Sequence, residues 1–288
     1  MQEPLQPRPH SERPFYLIDN IPDNEKESFA YLSGWINIFT GLHFPPNKQI
    51  NLYRRLCKLC VKFGIKNLND LVDHLKKQDI PNLPSEMAHV ISTNHSFFFR
   101  EPLVLDFFIQ NIVPTIPTYE KWRIWSAACA SGEEAYTLAI MLAEIMGFNQ
   151  VAEKVSILGT DISYPSIKQA EQGIYHRQKM ELVEDAICKK YFKHEKPDHY
   201  QVDPRIKSTC TFRRMNLNNS PWPFQKQFHV VFCRNVLYYF DRPVQQELVE
   251  RIFDITLPGG WLITSVTESL YWAKTRWKPI ATGIYRKI

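Results

Sequence analysis

Several side chains that could bind a ligand follow short apolar runs in this sequence, at the points where β-strands would end. The run 123–128 leads into a turn with one glycine and two carboxylates, and the run 155–161 ends in an aspartate. Two later runs end in an asparagine and in an Arg-Asn pair. Ligands of open parallel sheets bind at the carboxyl ends of the strands, so we expect these groups to line one crevice. They are Glu133, Glu134, Asp161, Asn216, Arg234 and Asn235.

The charge of this crevice disfavours a dinucleotide. Its first turn has a single glycine, Gly132, instead of the three of a dinucleotide-binding turn. Glu133 and Glu134 would repel a pyrophosphate from the helix start that follows. A phosphate-free cation fits better, and S-adenosylmethionine carries a sulfonium and an ammonium. Asp161 is placed to accept hydrogen bonds from ribose hydroxyls, although taken alone it could be a helix cap. Together these features favour an adenosylmethionine-dependent methyltransferase over a dehydrogenase.

Alternating strand and helix patterns place these groups in an α/β domain. Strand-like runs lie at 123–128, 155–161, 210–217, 228–235 and 259–265, and helical patterns at 133–146, 165–172 and 244–253, with a closing strand within 280–288. Buried strands that alternate with helices predict a doubly wound, mainly parallel, Rossmann-like sheet. The stretch 191–211 has prolines, charges and alternating residues, which predict a small antiparallel β insertion.

The N-terminal part of the chain has a helical pattern instead. Leu52, Leu56, Leu59 and Phe63 recur at helical spacing, and Gly64 should end this helix. Its basic residues Arg54, Lys58 and Lys62 share one face, which is either a solvated face or a docking face for an acidic helical partner. A second amphipathic helix is predicted at 67–77. We therefore expect a flexible tail at 1–14, a helical domain at 15–91 and the α/β domain at 92–288.

Composition sets the outer limits. The 288 residues are 44% hydrophobic, which is enough for two domains, and the net charge of +5 is smaller than that of a dedicated nucleic-acid binder. Cys57 and Cys60 have no second pair at matching spacing, so we interpret them as core side chains and expect no metal. No apolar run reaches the roughly 20 residues needed to span a bilayer. The polar N-terminus is no signal peptide, so we expect a cytoplasmic protein.

Five motifs in a fixed order carry a resemblance to a known family. They are TNHSFFFRE (93–101), WSAACASGEEAY (125–136), GTDIS (159–163), RRMNL (213–217) and FCRNVLYYFD (232–241). Over nearly the whole chain the sequence resembles the chemotaxis receptor glutamate methyltransferases of CheR type. The resemblance implies a class I S-adenosylmethionine-dependent methyltransferase fold with a small all-helical N-terminal domain and a small antiparallel β insertion. It also implies methyl transfer to receptor glutamates, which yields glutamate methyl esters and S-adenosylhomocysteine.

The resemblance also implies roles for individual residues. Cofactor contacts are expected from Asn94, Ser96, Arg100, Glu134, Asp161, Asn216, Leu217, Arg234 and Asn235. Arg100 and Tyr239 match the positions proposed to orient the reacting groups, so they are the predicted catalytic residues. The expected partners are the cytoplasmic helices of methyl-accepting receptors, with no nucleic acid, no membrane insertion and a monomeric enzyme. The family commonly has Thr at Ser96 and Pro at Ala135, and the insertion of this chain is short, which puts tethering of a receptor C-terminal peptide in doubt.

The expected chemistry needs positioning more than proton transfer. A glutamate side chain, with an ordinary pKa of about 4.3, is ionised at neutral pH, and a sulfonium is already a good leaving group. The planar fork of Arg100 can hold a carboxylate. Three buried phenylalanines would fix that guanidinium, whereas the alternative is a surface ion pair between Arg100 and Glu101. Two other functions stay open, a cofactor-binding signalling module without receptor methylation and a nucleic-acid methyltransferase, although the motif typical of the latter is absent.

Overall fold

The computed structural model describes residues 20–92 and 95–288. The chain divides into two compact units, Met1–Thr93 and Asn94–Ile288, a division two residues beyond the predicted boundary. The predicted tail, 1–14, lies outside the described residues. No helix in the described parts is both long and apolar enough to cross a membrane.

The N-terminal unit consists of helices. They are α1 (Lys26–Thr40), α2 (Pro46–Phe63), α3 (Leu68–Lys77) and α4 (Leu83–Ile91). Both helices predicted from spacing are confirmed: α2 ends at Gly64, which is left-handed, and α3 begins after Asn67, whose side chain accepts from the backbone of Asp70. Of the predicted apolar stripe of α2, Leu52, Leu56 and Leu59 are buried and Phe63 is partly exposed; Cys60 is buried. On its basic face, Lys62 forms an ion pair with Glu86 and Lys58 is exposed.

The C-terminal unit has an α/β architecture. Its helices are α5 (Pro102–Phe107), α6 (Glu133–Met146), α7 (Phe148–Lys154), α8 (Tyr164–Gln172), α9 (Asp185–Tyr191), α10 (Pro204–Lys207) and α11 (Arg242–Asp254). Its strands are β1 (Trp122–Ala127), β2 (Val155–Asp161), β3 (Ile174–His176), β4 (Phe192–Lys196), β5 (His199–Val202), β6 (Cys210–Arg214), β7 (Phe228–Cys233), β8 (Thr256–Ile263), β9 (Lys278–Ala281) and β10 (Ile284–Arg286).

Seven strands form the main sheet, in the order β6-β2-β1-β7-β8-β10-β9. The first five are parallel, and β10 runs antiparallel to both β8 and β9. The predicted mainly parallel sheet is therefore confirmed, except that the predicted single closing strand is a hairpin that turns at Gly283. From β1 the chain continues outward to β2 and β6, then returns to β7 on the other side of β1. This reversal makes the carboxyl ends of β1 and β7 the expected ligand crevice.

A second, three-stranded antiparallel sheet has the order β3-β5-β4. The predicted antiparallel insertion is present, but its range is wrong at both ends. The sheet takes a strand from Ile174–His176, upstream of 191–211, while Cys210 already belongs to β6 of the main sheet. The three residues of β3 follow directly after Gly173, which ends α8, and so short a strand has no periodicity to recognise.

Candidate active site

The turn between β1 and α6 is held in a strained shape at the centre of the crevice. Ala128 and Ala130 have left-handed backbones, with φ of 58° and 48°, and Gly132 follows with φ of 91°. The backbone N–H of Ala130 donates to Oδ2 of Asp161 at 2.9 Å. A Cβ on Gly132 would lie 2.8 Å from Cβ of Ala170, so only glycine fits there. The turn thus passes close to the end of β2, and Cys129, Ala130, Ser131 and Gly132 are buried there.

Asp161 ends β2 with a buried carboxylate. Besides the bond from Ala130, its Oδ1 accepts from the backbone N–H of Ser163 at 2.8 Å. Burial raises the pKa of Asp161 to about 6, against the lowering effect of these two hydrogen bonds, and the charge of Glu133 raises it further. Each carboxylate oxygen keeps a second lone pair. Asp161 can therefore accept a further hydrogen bond from a ligand.

Two glutamates begin α6 and differ in their partners. Glu133 is completely buried; its Oε1 lies 2.7 Å from the Ser131 hydroxyl and 3.1 Å from Nζ of Lys179. Its Oε2 has no hydrogen-bond partner among the described residues. Glu134 accepts from the Ser126 hydroxyl at 2.6 Å and from Nη1 of Arg234 at 2.9 Å. The start of this helix is thus strongly acidic.

Arg234 follows β7 and is surrounded by protein groups. Its side chain is 2% exposed. Besides the bond to Glu134, Nη2 donates to the backbone carbonyl of Arg100 at 2.7 Å and lies 3.3 Å from Oε2 of Glu101. One guanidinium therefore joins the end of β7 to the start of α6 and to the segment 95–101. This geometry gives Arg234 a clamping role toward Glu134 and Glu101.

Glu101 is a site residue that the sequence did not reveal. It forms no ion pair with Arg100; instead its Oε1 accepts from Nδ2 of Asn235 and from the Ser265 hydroxyl, both at 2.9 Å. Burial alone would raise the pKa of Glu101. The hydrogen bond from Asn235, the charge of Arg234 and the bond from Ser265 outweigh it, and the pKa lies below its ordinary value. The carboxylate is therefore a fixed anion that fastens Asn235.

Glu268 is the second unforeseen carboxylate. It is buried and accepts from the backbone N–H groups of Asn235 at 2.6 Å, Leu237 at 2.7 Å and Ser265 at 3.2 Å. Burial raises its pKa in spite of these bonds. The carboxylate holds the loop that carries Asn235 and Tyr239. A lone acid bound to backbone amides across the fold has no recognisable spacing in a sequence.

The segment 95–101 is anchored differently from the prediction. Only Phe98 is fully buried, with edge contacts to Tyr175 at 4.9 Å and Phe192 at 5.1 Å between ring centroids. Phe97 is half-buried and lies 5.6 Å below the guanidinium of Arg100. The expectation of three buried phenylalanines was wrong because the chain turns here: Phe99 has a left-handed φ of 57°, so successive rings diverge.

The two predicted catalytic residues, Arg100 and Tyr239, lie on the segment 95–101 and in the 3-10 turn Leu237–Tyr239 after β7. Nη1 of Arg100 donates to the backbone carbonyl of His95 at 2.9 Å, which leaves its other N–H groups available. The rings of Tyr238 and Tyr239 lie 4.3 Å apart, and the Tyr238 hydroxyl donates to that of Tyr239 at 3.3 Å. Burial and this hydrogen bond raise the pKa of Tyr238, and the charge of Arg100 opposes them. The charge of Arg100 therefore acts on Tyr238, which is hydrogen-bonded to Tyr239.

The other predicted contacts lie at the ends of β6 and of the segment 95–101. The backbone N–H of Met215 donates to the carbonyl of Asp161, which joins the turn after β6 to the end of β2. In that turn Asn216 accepts from the backbone of Asn218 at 3.0 Å, and Leu217 is buried. Ser96 is partly buried within the segment 95–101, and Asn94 lies outside the described residues.

Backbone strain is concentrated at this site. Of the eight non-glycine residues with left-handed φ in 20–92 and 95–288, five belong to it. These five are Phe99, Glu101, Ala128, Ala130 and Asn235. Strained backbone persists only where the surroundings over-determine it, and such residues cluster at ligand sites. The clustering supports the crevice as the functional site.

The acceptor groups of the crevice fit S-adenosylmethionine. Glu133, Glu134 and Asp161 bring three carboxylates to the crevice, of which Glu133 and Glu134 are paired with Lys179 and Arg234, and Oε2 of Glu133 has no hydrogen-bond partner among the described residues. Such an environment attracts a cation and repels phosphate. Carboxylate lone pairs on Asp161 suit ribose hydroxyls. A cationic, phosphate-free nucleoside matches every one of these features.

Residues 94–285 match the family described as the CheR methyltransferase SAM-binding domain, and residues 27–93 match the CheR methyltransferase all-alpha domain. The chain belongs to the CheR methyltransferase family. It is 34% identical over 236 residues to the chemotaxis protein methyltransferase of Borreliella burgdorferi, covering 80% of this chain and 83% of that relative. It is 33% identical over 236 residues to chemotaxis protein methyltransferase 1 of Pseudomonas aeruginosa, covering 80% and 85%. It is 31% identical over 252 residues to the chemotaxis protein methyltransferase of Listeria innocua, covering 87% and 92%.

Membership of the CheR family confirms the predicted fold class, enzyme class and cofactor. The protein is an S-adenosylmethionine-dependent methyltransferase of the chemotaxis type. The all-helical N-terminal part and the small antiparallel sheet, both implied by the motifs, are also present.

Proposed function

We propose that this enzyme methylates glutamate side chains on the cytoplasmic helices of chemotaxis receptors, acting as a monomer in the cytoplasm. The product is a glutamate methyl ester. The observation that carries the proposal is that Arg234 joins Glu134 of the crevice to the backbone of Arg100, whose guanidinium keeps N–H groups for an anion. The acidic crevice suits a cationic cofactor, and the guanidinium suits an anionic acceptor. The printed names of the relatives connect the same family to chemotaxis.

Residues of this chain would hold the cofactor as follows. Asp161 accepts from the ribose hydroxyls, and Glu134, fixed by Arg234, faces the cationic part. The remaining contacts are assigned to Asn94, Ser96, Arg100, Asn216, Leu217, Arg234 and Asn235. When bound, S-adenosylmethionine supplies an electrophilic methyl group and a neutral sulfide leaving group.

Arg100 and Tyr239 would act on the acceptor. The acceptor carboxylate is already ionised at neutral pH, so no residue has to remove a proton. Arg100 has N–H groups beyond the one bound to His95, and these can hold one carboxylate oxygen. The Tyr239 hydroxyl can donate to the same carboxylate and orient the other oxygen. The contribution of both residues is alignment, which accounts for a large share of the rate in a displacement without proton transfer.

A transfer assay tests the proposal. Purified protein is incubated with methyl-labelled S-adenosylmethionine and a cytoplasmic receptor fragment, and label that is released by mild base is counted as methyl ester. Tyr239→Phe should lower kcat about 100-fold, the cost of a misaligned displacement, with little change in the Kd for S-adenosylhomocysteine. Arg100→Ala should lower kcat and also weaken cofactor binding. The exposed Tyr271 gives the matched control, and Tyr271→Phe should behave as wild type.

The alternative of a signalling module gives a different result in the same assay. Calorimetry would then show cofactor binding, while no receptor fragment would acquire label. An active enzyme whose kcat is unchanged in Tyr239→Phe would instead remove Tyr239 from the site and leave the overall function standing.

A further inference from the structure

Lys179 lies between the start of α6 and the segment 95–101. It belongs to the short 3-10 turn Arg177–Met180, which directly follows β3 of the small sheet. Its Nζ donates to the backbone carbonyl of Ser96 and lies 3.1 Å from Oε1 of Glu133. Its own backbone carbonyl accepts from the N–H of Phe98 at 3.1 Å. One residue therefore binds the segment at two points.

In the ion pair between Lys179 and Glu133, the carboxylate is the more deeply buried partner. The Glu133 side chain is 0% exposed and that of Lys179 is 27% exposed. Among the described residues, no other cation forms an ion pair with Glu133. A charge in such a place is costly when its partner is removed, so Glu133 fixes the position of the ammonium group. Lys179 can then hold the Ser96 carbonyl at a defined distance from α6.

The other ties of the segment lead to the same two elements. The backbone N–H of Phe99 donates to the Thr137 hydroxyl of α6 at 3.1 Å. The ring of Phe98 packs against Tyr175 of β3 and Phe192 of β4. The segment 95–101 is thus held by α6 on one side and by the small sheet on the other. Lys179, in the turn after β3, contacts the segment and Glu133 of α6.

We propose that Lys179 is a positioning residue for cofactor binding, because it places Ser96 against the cofactor by holding the Ser96 carbonyl from the small sheet. The inference rests on the proposed cofactor contact of Ser96. It gives the small sheet a role in the cofactor site, separate from any contact with a receptor. Lys179 itself need not touch the cofactor.

Cofactor affinity tests this role without requiring turnover. Lys179→Met should weaken binding of S-adenosylhomocysteine about 10-fold in calorimetry, the expected effect of losing one charge-assisted hydrogen bond. The KM for S-adenosylmethionine should rise by a similar factor, while kcat changes less than twofold. Lys179→Arg, which keeps the charge and the donors, should recover most of the affinity.

Lys190 of α9 provides a matched control, because its glutamate partner also lies on α6. Its Nζ lies 2.6 Å from Oε1 of Glu144 near the other end of α6, and both side chains are well exposed. Lys190→Met removes a Lys–Glu pair of equal chemistry without touching the segment 95–101. It should leave the Kd within twofold of wild type, and an equal loss in this variant would overturn the proposal.

A second comparison separates positioning from folding, because Lys179→Met leaves a buried carboxylate without its cation. In Glu133→Gln, Lys179 still reaches Ser96, and in Lys179→Met/Glu133→Gln both charges are gone. The double variant should show cooperative unfolding by circular dichroism and bind about 10-fold more weakly than Glu133→Gln. Equal affinities of these two variants would refute the role of Lys179. If wild type binds the cofactor yet labels no receptor, receptor methylation fails while the Lys179 comparison still stands.

Discussion

Replacing Arg234 by Met should destabilise the C-terminal unit far more than replacing an exposed arginine of similar pairing. Arg234 contacts Glu134 at 2.9 Å and Glu101 at 3.3 Å with 2% of its side chain exposed. Arg276 likewise contacts two carboxylates, those of Glu250 and Asp254, both at 2.7 Å, with 51% of its side chain exposed. The two arginines differ mainly in burial, so the pair isolates its effect.

The expected size follows from the carboxylates left behind. Removing one member of a buried ion pair costs about 3–5 kcal/mol, because the remaining charges stay desolvated. For a unit of this size, about 2–4 °C of melting temperature is lost per kcal/mol, so Arg234→Met should lower Tm by roughly 6–20 °C. Arg276→Met should cause a small fraction of that shift, and added salt should reduce it further, since exposed pairs are screened by solvent and ions.

Tryptophan fluorescence is a suitable assay because Trp35 is the one tryptophan of the seven that lies outside the C-terminal unit. The pH dependence adds a second check. The pKa of Glu101 is held below its ordinary value, so this group contributes stability above that value and loses it as pH falls through the folded-state pKa. Without Arg234 that contribution shrinks, so the deficit of Arg234→Met should be smaller below the ordinary glutamate pKa of about 4.3 than at neutral pH. Equal melting temperatures for the two arginine variants would refute this account of the clamp.

Two further outcomes are expected. Since the pKa of Asp161 is raised to about 6 and its ionised form accepts the ribose hydroxyls, S-adenosylhomocysteine should bind about 10-fold more weakly at pH 5 than at pH 7 in calorimetry. A flat profile would contradict that role. Gly132→Ala should lower stability by about 2 kcal/mol or more in urea unfolding, because of its φ of 91° and a Cβ 2.8 Å from Ala170. Gly34→Ala, at a helical position with nothing within 4 Å, should stabilise by about 0.5–1 kcal/mol, and equal effects would disprove the steric reason.

Local patterns predicted most of the sheet and its helices. The strand 155–161 and the helix 133–146 agree with β2 and α6 to the residue. Apolar content marks the strand, and Gly132 and Gly147 mark the two ends of the helix. Errors occur where distant contacts decide. Strand β3 of the small sheet, which lies upstream of the predicted range, is defined by its pairing with His199–Gln201. The closing segment folds into two strands, β9 and β10, around Gly283.

The site was predictable in its motifs and less so in its connections. Polar strand ends identified Asp161, Asn216 and Arg234, since a parallel sheet collects its carboxyl ends. The partners that fix them are invisible to spacing: Glu101 entered only in the alternative of an ion pair with Arg100 but binds Asn235, and Glu268 binds backbone amides. Such contacts join residues more than 30 positions apart and follow from the completed fold.

The hydrogen bond from Ser265 to Glu101 joins residues 164 positions apart, so it determines how late in folding the active site can form. Contacts of such long separation are closed late, after the local helices have formed. Until residues 265–268 have docked, Glu101 lacks two of its hydrogen-bond donors and the loop around Asn235 lacks its carboxylate support. A nascent chain, or a proteolytic fragment that stops before Ser265, would contain all five family motifs and still have no assembled cofactor site.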